Sequence, residues 1–130
     1  MTSDVLRVFV CDDVADMRAL VRYALEDDTG MEVVGEAGDG AAGLRGVADT
    51  QPDVLLVDLS MPGMDGLELV ARVRAAAPAT GVVVFSGFEA ARMRGPSLAA
   101  GADRYVEKGA PLDDLRHAVR DVARRRRATA

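Results

Sequence analysis

Five short apolar runs, separated by segments with helical periodicity, form the main pattern along the chain. Three of the runs, at residues 8–10, 54–57 and 82–85, are continuously apolar, as expected of parallel strands covered on both faces. The second and fifth runs carry charged residues, which is typical of the exposed edges of a sheet. The predicted strands are Leu6–Cys11, Met31–Ala37, Val54–Val57, Val82–Phe85 and Arg104–Glu107.

Between the runs, apolar residues recur three and four positions apart, which is the spacing of one helix face. The first helix is predicted from Met17, Leu20, Val21, Ala24 and Leu25. Weaker helices are predicted over 40–48, from Leu44, Val47 and Ala48, and over 67–77, from Val70 and Val73. The last helix is predicted to have Pro111 in its first position and an apolar stripe of Leu112, Leu115, Val119 and Val122.

The segment before the fifth strand, residues 89–100, carries Gly95 and Pro96 in its middle. Proline lacks a backbone donor and clashes with the preceding helical turn. We therefore expect a fourth helix that is short, kinked or begins near Pro96, in a segment that is mobile or distorted.

Five strand–helix units in succession imply a right-handed, doubly wound parallel sheet. The exposure pattern of the strands fits the order 2-1-3-4-5, so the predicted fold class is α/β with a flavodoxin-like arrangement. A chain of 130 residues fits one domain that buries roughly two-thirds of its unfolded surface. We expect a single domain over residues 1–130.

Composition excludes several classes of function. The formal net charge of −5 argues against nucleic-acid binding over the whole surface, and the basic run Arg124–Arg127 is expected to be a helix end. Residues 1–4 lack the basic start of a signal peptide, and no apolar run approaches the roughly 18 residues of a membrane span. The expected location is therefore the cytoplasm. Cys11 is expected to be a buried thiol and His117 a surface residue.

Chemically active side chains follow the predicted strands at their carboxyl ends. Asp12 and Asp13 come after the first strand, Asp58 after the third, Ser86 after the fourth and Lys108 after the fifth. Ligands bind at this edge of a doubly wound sheet. Each acid alone could simply cap the next helix. Three carboxylates together repel one another unless a cation compensates them, and the hard oxygen ligands indicate Mg²⁺, with Mn²⁺ as an alternative.

A carboxylate, a divalent cation, a hydroxyl and an ammonium group are the parts needed to transfer a phosphoryl group. Asp58 is the preferred nucleophile because four apolar residues precede it and fix its direction. Lys108 is the single lysine beside 15 arginines, which indicates a position that needs a compact ammonium. The loop at residues 60–66 is rich in turn-forming residues and can wrap a metal ion.

These features together resemble a bacterial response-regulator receiver domain over nearly the whole chain. The resemblance is carried by Asp12-Asp13, the run Asp58-Leu59-Ser60-Met61-Pro62-Gly63-Met64-Asp65-Gly66, Ser86, and Tyr105 three residues before Lys108. The spacings of 45 residues from Asp13 to Asp58, 28 to Ser86 and 22 to Lys108 agree with it. Residues 34–40 and 105–111 are similar to NarL-like receivers, which carry a LuxR-type helix-turn-helix output domain.

The resemblance implies a phosphoacceptor and a switch. Asp58 would accept a phosphoryl group from a phosphohistidine on a sensor histidine kinase, and Lys108 and Ser86 would hold its oxygens. Tyr105 would turn inward as Ser86 moves toward the phosphate. Catalysis would be limited to self-phosphorylation and slow self-dephosphorylation.

The resemblance also implies a metal site and partners. Asp13 would bind Mg²⁺ directly, Asp12 mainly through water, and Asp58 and the Ser60 carbonyl would complete the protein ligands. The output face would be the fourth helix, fifth strand and fifth helix. Because Gly95 and Pro96 depart from the long fourth helix of many receivers, we expect phosphorylation to be read out through ordering of residues 89–100. Partners would be the kinase, an output domain or target protein, and a phosphorylation-linked second copy, with neither a membrane nor nucleic acid bound directly.

Other functions stay open at this point. A stand-alone receiver would act by protein contacts or as a phosphate shuttle or sink, without a DNA-binding domain. A phosphohydrolase resembling the haloacid dehalogenases would carry a second acid two residues after the nucleophile, where this chain has Ser60. An unphosphorylated pseudo-receiver is disfavoured, because every residue type of the acceptor site is present.

Overall fold

The computed structural model describes residues 5–27 and 30–129, which form a five-stranded sheet flanked by five helices. The strands are β1 (Leu6–Cys11), β2 (Met31–Ala37), β3 (Val54–Val57), β4 (Gly81–Ser86) and β5 (Arg104–Glu107). The helices are α1 (Ala15–Glu26), α2 (Gly40–Thr50), α3 (Gly66–Ala76), α4 (Ala90–Ala100) and α5 (Leu112–Thr129). Four strands have their predicted bounds, and β4 is one residue longer at each end. Residues 1–4, which bear on the signal-peptide expectation, lie outside the described residues.

All strand pairs are parallel, and the strand order is β2-β1-β3-β4-β5, as predicted. The order reverses at the neighbouring strands β1 and β3, so the crevice at their carboxyl ends is the topological switch point. The central strands are almost wholly buried because helices cover both faces. Charged Glu32 and Glu107 are exposed on the two edge strands.

The core has two halves, one on each face of the sheet. Alternate residues of β1 point to opposite faces, so Val8 and Val10 pack under α1 and α5 while Phe9 packs under α2. Burial of each such side chain contributes about 1.5–3 kcal/mol as an upper value. This packing fixes the directions of the residues that follow each strand.

The apolar face of α1 is confirmed in part. Val21, Ala24 and Leu25 are buried, and Met17 packs against the core. Leu20, predicted to lie on this face, is 43% exposed. Its place at the margin of the apolar stripe turns it away from the sheet.

Helix α2 packs largely through glycines, which corrects its predicted face in part. Its buried residues are Gly40, Gly43 and Val47, and Leu44 packs against the core as predicted, whereas Ala48 is exposed. A β-carbon at Gly46 would lie 2.2 Å from the Phe9 ring, and one at Gly43 would lie 2.8 Å from the Cys11 sulfur. The helix therefore lies too close to the sheet for side chains at these positions.

Helix α4 corrects the prediction made from Gly95 and Pro96. It begins at Ala90, six residues before the proline, and continues to Ala100, the same length as α2 and α3. Arg92, whose carbonyl would accept from residue 96 in a regular helix, is exposed, as is Pro96 itself. Water can therefore satisfy that carbonyl, and Gly95 has no β-carbon to clash with the proline ring in a helical conformation. The expected mobility of this segment stays a prediction.

Helix α5 begins at Leu112, so Pro111 precedes the helix rather than occupying its first position. Leu115, Val119 and Val122 of the predicted stripe are buried, whereas Leu112 is only half-buried. The helix runs on to Thr129 and contains the basic run at residues 124–127. None of the helices in the described part of the chain is both long and apolar enough to span a membrane.

Asp103, Arg74 and Arg126 form a cluster, here named the Asp103 cluster, at the end of the sheet opposite the strand carboxyl ends. Asp103 Oδ2 accepts from the Val82 amide at 2.8 Å and from Arg74 Nη2 at 3.1 Å. Asp103 Oδ1 accepts from Arg126 Nη2 at 2.6 Å. Burial, and then the nearby Arg126, lower the pKa of Arg74, although Asp103 opposes them. One carboxylate therefore joins α3 and α5 to the start of β4.

Candidate functional site

The carboxyl ends of the strands surround a cavity of about 390 Å³. Its lining residues are Asp13, Val14, Asp58, Ser60, Ser86, Gly87, Phe88 and Lys108. All of these positions lie at, or within three residues after, the carboxyl ends of β1, β3, β4 and β5. The parallel sheet thus brings together the side chains that the sequence placed at strand ends.

Lys108 bridges two buried carboxylates. Its Nζ lies 2.9 Å from Asp12 Oδ2 and 3.3 Å from Asp58 Oδ2. Because Asp12 and Asp58 are only 3% and 4% exposed, water reaches them little, and Lys108 supplies a positive charge beside both. Burial lowers the pKa of Lys108, but the hydrogen bond to Asp12 and the charge of Asp58 outweigh it and raise that pKa above its usual value. Lys108 is therefore charged at neutral pH.

The backbone of Asp58 is fixed by a hydrogen bond, and its carboxylate is buried. Its amide donates to the Cys11 carbonyl at 2.9 Å, which fixes the backbone where β3 ends beside β1. Burial raises the pKa of the Asp58 carboxyl, Lys108 opposes that rise, and the neighbouring Asp12 adds to it. A backbone hydrogen bond from Ser60 also favours the ionised form. The result is a carboxylate that little water shields.

Three carboxylates meet at this edge of the sheet. One oxygen each from Asp12, Asp13 and Asp58 lies within 4.8 Å of the others, and Asp13 is exposed while the other two are buried. The single charge of Lys108 cannot balance three negative charges. Hard oxygen donors in this arrangement fit a divalent cation such as Mg²⁺.

Ser86 and Tyr105 meet at the backbone of Phe88. Ser86 is fully buried, and its Oγ accepts from the Phe88 amide at 3.2 Å. The Tyr105 hydroxyl donates to the Phe88 carbonyl at 2.7 Å. Burial raises the pKa of the Tyr105 phenol, which keeps it a donor. The two residues predicted to form the switch thus share one loop residue.

Two residues that the sequence interpretation did not place at the site contact its supporting backbone. Arg18 on α1 donates to the Asp12 carbonyl, and Glu107 on β5 accepts from the Ala90 amide at the start of α4. The sequence signal for Arg18 was its position five residues after the acid pair. The sequence does not show, however, that its side chain reaches back to the backbone of that pair. Glu107 was interpreted only as an edge-strand charge.

The expectations for Cys11 and His117 are confirmed. Cys11 is 1% exposed, and burial raises the pKa of its thiol to about 12. His117 is exposed on α5. Neither residue lines the cavity at the carboxyl ends of the strands.

Comparison with known proteins agrees with this fold and site. Residues 8–120 match the family model of the response regulator receiver domain. The chain therefore belongs to the response regulator receiver domain family, the signal-receiving part of two-component systems. The resemblance seen in the sequence is confirmed.

Individual relatives place the chain among receivers with different outputs. It is 35% identical over 124 residues to the uncharacterized transcriptional regulatory protein YxjL of Bacillus subtilis, covering 95% of this chain and 57% of that protein. It is 43% identical over 108 residues to a protein-glutamate methylesterase/protein-glutamine glutaminase of Myxococcus xanthus, covering 82% and 31%. The chain thus spans little more than half, or less, of the length of these relatives.

Among solved structures, the receiver domain of the response regulator NarL from Mycobacterium tuberculosis is similar. Its TM-score is 0.87 at 37% sequence identity, and the match covers 93% of this chain and 98% of that one. The five parallel strands, their order and the flanking helices are therefore those of the receiver fold.

Proposed function

We propose that Asp58 accepts a phosphoryl group and that this event switches the domain between two states. The observation that carries the proposal is the position of Lys108 Nζ, 3.3 Å from Asp58 Oδ2 and 2.9 Å from Asp12 Oδ2, in a cavity that Ser86 also lines. A carboxylate, an ammonium and a hydroxyl thus surround one space. Phosphoryl transfer needs these groups for attack and for stabilising the charge on the equatorial oxygens.

The reaction is an in-line displacement at phosphorus. An Asp58 oxygen forms the new bond to phosphorus while the bond from phosphorus to the donor nitrogen of a phosphohistidine breaks. The electron pair of that bond stays on the imidazole, which takes a proton from solvent. Lys108 and the Ser86 hydroxyl bind the phosphoryl oxygens, and Tyr105 turns inward when Ser86 moves toward them.

Asp12, Asp13, Asp58 and the Ser60 carbonyl are proposed to hold Mg²⁺, for which Mn²⁺ can substitute. The bound ion supplies charge neutralisation at the phosphoryl oxygens. Support comes from the three carboxylate oxygens within 4.8 Å of one another. Lys108 by itself leaves two of their negative charges uncompensated.

The proposed donor is a sensor histidine kinase, and the chemistry of the domain itself is self-phosphorylation and slow self-dephosphorylation. Phosphohydrolase activity is disfavoured because Ser60 occupies the position where such enzymes would carry a second acid. Rapid turnover of small phosphoesters would contradict this assignment.

The proposed output is transcription, through a LuxR-type DNA-binding domain in a longer protein. Similarity to YxjL and to the NarL receiver supports it. In this proposal residues 1–130 form one receiver domain with a basic helix end, and α4, β5 and α5 form the face that binds the output domain or a second phosphorylated copy. A stand-alone receiver is the alternative, and the gene sequence beyond Ala130 distinguishes the two.

Incubation with acetyl phosphate and Mg²⁺, followed by intact mass, tests the acceptor. The parent should gain the mass of one phosphoryl group, whereas Asp58→Ala and a parent sample with excess EDTA should gain none. A gain that survives Asp58→Ala would overturn the choice of nucleophile. Binding of beryllofluoride to the parent, followed by NMR, examines the same site without covalent chemistry.

A further inference from the structure

Arg18 lies outside the cavity yet contacts the backbone of the acid pair. Its Nη1 donates to the Asp12 carbonyl at 2.6 Å, a short distance for a charge-assisted hydrogen bond. Its Nε donates to Glu36 Oε1 at 3.0 Å. The guanidinium therefore joins the turn after β1 to a carboxylate on β2.

We infer that Arg18 is a positioning residue that sets the directions of the metal ligands Asp12 and Asp13. This inference rests on the proposed function, since it concerns the Mg²⁺ site of the same reaction. The Asp12 carbonyl belongs to the planar peptide group that leads into Asp13. Fixing that carbonyl therefore fixes the peptide plane from which the Asp13 backbone continues, and this limits the directions open to the Asp13 side chain.

The other polar groups of Asp12 show how completely its conformation is defined. Its amide donates to the Ala37 carbonyl at 3.0 Å, and its Oδ1 accepts from the Val14 amide at 2.9 Å. Its Oδ2 lies 2.9 Å from Lys108 Nζ. The contact from Arg18 holds the remaining group, the carbonyl, and so completes the orientation of this residue.

Arg18 is itself held in place. Its side chain is only 21% exposed, and a β-carbon at Gly38 would lie 3.3 Å from its Nη1. Glu36 is shared with Arg22, whose Nη2 lies 2.8 Å from Glu36 Oε2. Hydrogen bonds from Arg22, and then from Arg18, hold the pKa of Glu36 below its usual value although burial opposes them. The Glu36 carboxylate, which holds the Arg18 guanidinium, therefore stays ionised at neutral pH.

Arg22 provides a matched control. It binds the same carboxylate from the next turn of α1 and carries the same charge, but it contacts Glu36 and Glu26 rather than Asp12. Arg22→Gln and Arg18→Gln each remove one positive charge and one partner of Glu36. Only Arg18→Gln also releases the Asp12 carbonyl.

Charge and geometry predict opposite results for Arg18→Gln. Removing a cation near an acidic cluster strengthens Mg²⁺ binding by Coulomb's law. Loss of the group that orients the ligands weakens it, and such supporting contacts typically change metal affinity by about tenfold or more. A weaker affinity therefore reports positioning, because the loss of charge alone cannot produce it.

The test is Mg²⁺ titration of the ¹⁵N-labelled chain, followed at the backbone amides of residues 12–14 and 58–60, with no phosphodonor present. We expect the Mg²⁺ dissociation constant to rise about tenfold in Arg18→Gln and to change less than twofold in Arg22→Gln. Arg18→Lys keeps the positive charge but cannot contact the Asp12 carbonyl and Glu36 with two guanidinium nitrogens. Its Mg²⁺ dissociation constant should lie between those of the parent and Arg18→Gln. Arg18→Lys also provides a second variant should Arg18→Gln fail to fold.

An unchanged or tighter dissociation constant in folded Arg18→Gln or Arg18→Lys would overturn the inference, and so would equal weakening in Arg22→Gln. Failure of the proposed function looks different, because the parent itself would then bind no Mg²⁺ or take up no phosphoryl group. Thermal unfolding in EDTA separates a loss of fold stability from a loss of metal-ligand positioning. A merely structural role would lower the melting temperature of Arg18→Gln without changing the metal affinity of the folded protein.

Discussion

At the scale of single residues, the burial of Asp58 sets the balance between reactivity and stability. A carboxylate that is 4% exposed and lies beside Asp12 is more costly to ionise in the folded state than in the unfolded chain. Lys108 reduces this cost without removing it, since the pKa of Asp58 stays raised. Ionisation of Asp58 therefore costs the folded domain stability at neutral pH.

Asp58→Asn should stabilise the folded domain in EDTA at pH 7 by about 1 kcal/mol, the scale on which one buried polar group acts. Because the folded pKa of Asp58 is raised, the stability that comes from its protonation is present below the ordinary pKa of 3.8 and is lost as pH rises through the folded value. The advantage of the variant should therefore shrink as the pH is lowered toward that ordinary pKa. Urea unfolding at several pH values measures both effects.

Asp49→Asn is the control for that series, because it removes the same charge from an exposed position on α2. Its free energy of unfolding should stay within about 0.5 kcal/mol of the parent at every pH. A destabilised Asp58→Asn at pH 7 would show that the ion pair with Lys108 outweighs the burial of the carboxylate.

The strand-end residues were predictable from sequence, and Arg18 and Glu107 were not. A residue that directly follows an apolar strand has its place fixed by the order of the strands, as with Asp58 and Lys108. Arg18 and Glu107 act through long side chains that reach another element, and their partners are 6 and 17 residues away in sequence. Sequence position carries little information about such a reach.

At the scale of secondary-structure elements, α2 and α4 are held by unusual means. Helix α2 presents glycines to the sheet, and α4 has Ser97 as its buried residue while its first amide is capped by Glu107 from β5. The continuously apolar strands were predicted correctly because a strand buried on both faces requires an unbroken run of apolar residues in the sequence. Hydrophobic periodicity does not register packing through missing side chains, which is why the prediction for α2 found Leu44 and Val47 but missed the buried glycines.

Gly46→Ala should destabilise the domain by about 1–3 kcal/mol, although alanine is the better helix former by about 1 kcal/mol. The reason is the Phe9 ring, which would lie 2.2 Å from the new β-carbon. In a Phe9→Leu background, Gly46→Ala should lower the free energy of unfolding by less than half as much. Urea unfolding of the four proteins of this double-mutant cycle measures the difference. Equal costs in both backgrounds would mean that the ring does not set the distance between α2 and the sheet.

Glu107→Ala should loosen the first turn of α4. Loss of a carboxylate cap at a helix N-terminus costs about 0.5–1 kcal/mol, which corresponds to roughly two- to fivefold faster local opening. Hydrogen exchange at residues 90–94 measures this, and Glu89→Ala is the control, because Glu89 precedes the helix without a side-chain capping bond. Equal exchange rates in the two variants would show that Glu107 does not stabilise the first turn of α4.

At the scale of the whole molecule, the Asp103 cluster and the acceptor cavity occupy opposite ends of the sheet. The cluster secures α5, α3 and the start of β4 through one carboxylate. The parallel fold and its strand order followed from the alternation of elements, but the cluster did not. Its members lie 23 and 29 residues from Asp103 in sequence, in segments with no local reason to meet.

Asp103→Asn should lower the free energy of unfolding by about 1.5–3 kcal/mol, the usual contribution of hydrogen bonds to a charged group. Asp121→Asn is the control, since Asp121 also accepts from an arginine on another element but is 36% exposed. That variant should lose less than about 1 kcal/mol. Comparable losses would show that the cluster behaves as an ordinary surface ion pair.

The bridge from Lys108 to Asp12 and Asp58 has a consequence for charge balance. Three carboxylates and one ammonium give the resting site a formal charge of minus two, which one divalent ion cancels. In the proposed reaction, phosphorylation would replace the single charge of Asp58 by a dianion, and a site that also held Mg²⁺ would then be negative by one charge. Hydrogen-bond donors stabilise such an added charge without cancelling it, and the Ser86 hydroxyl, at the end of β4 beside the Phe88 backbone that Tyr105 also contacts, is a donor that lines this cavity.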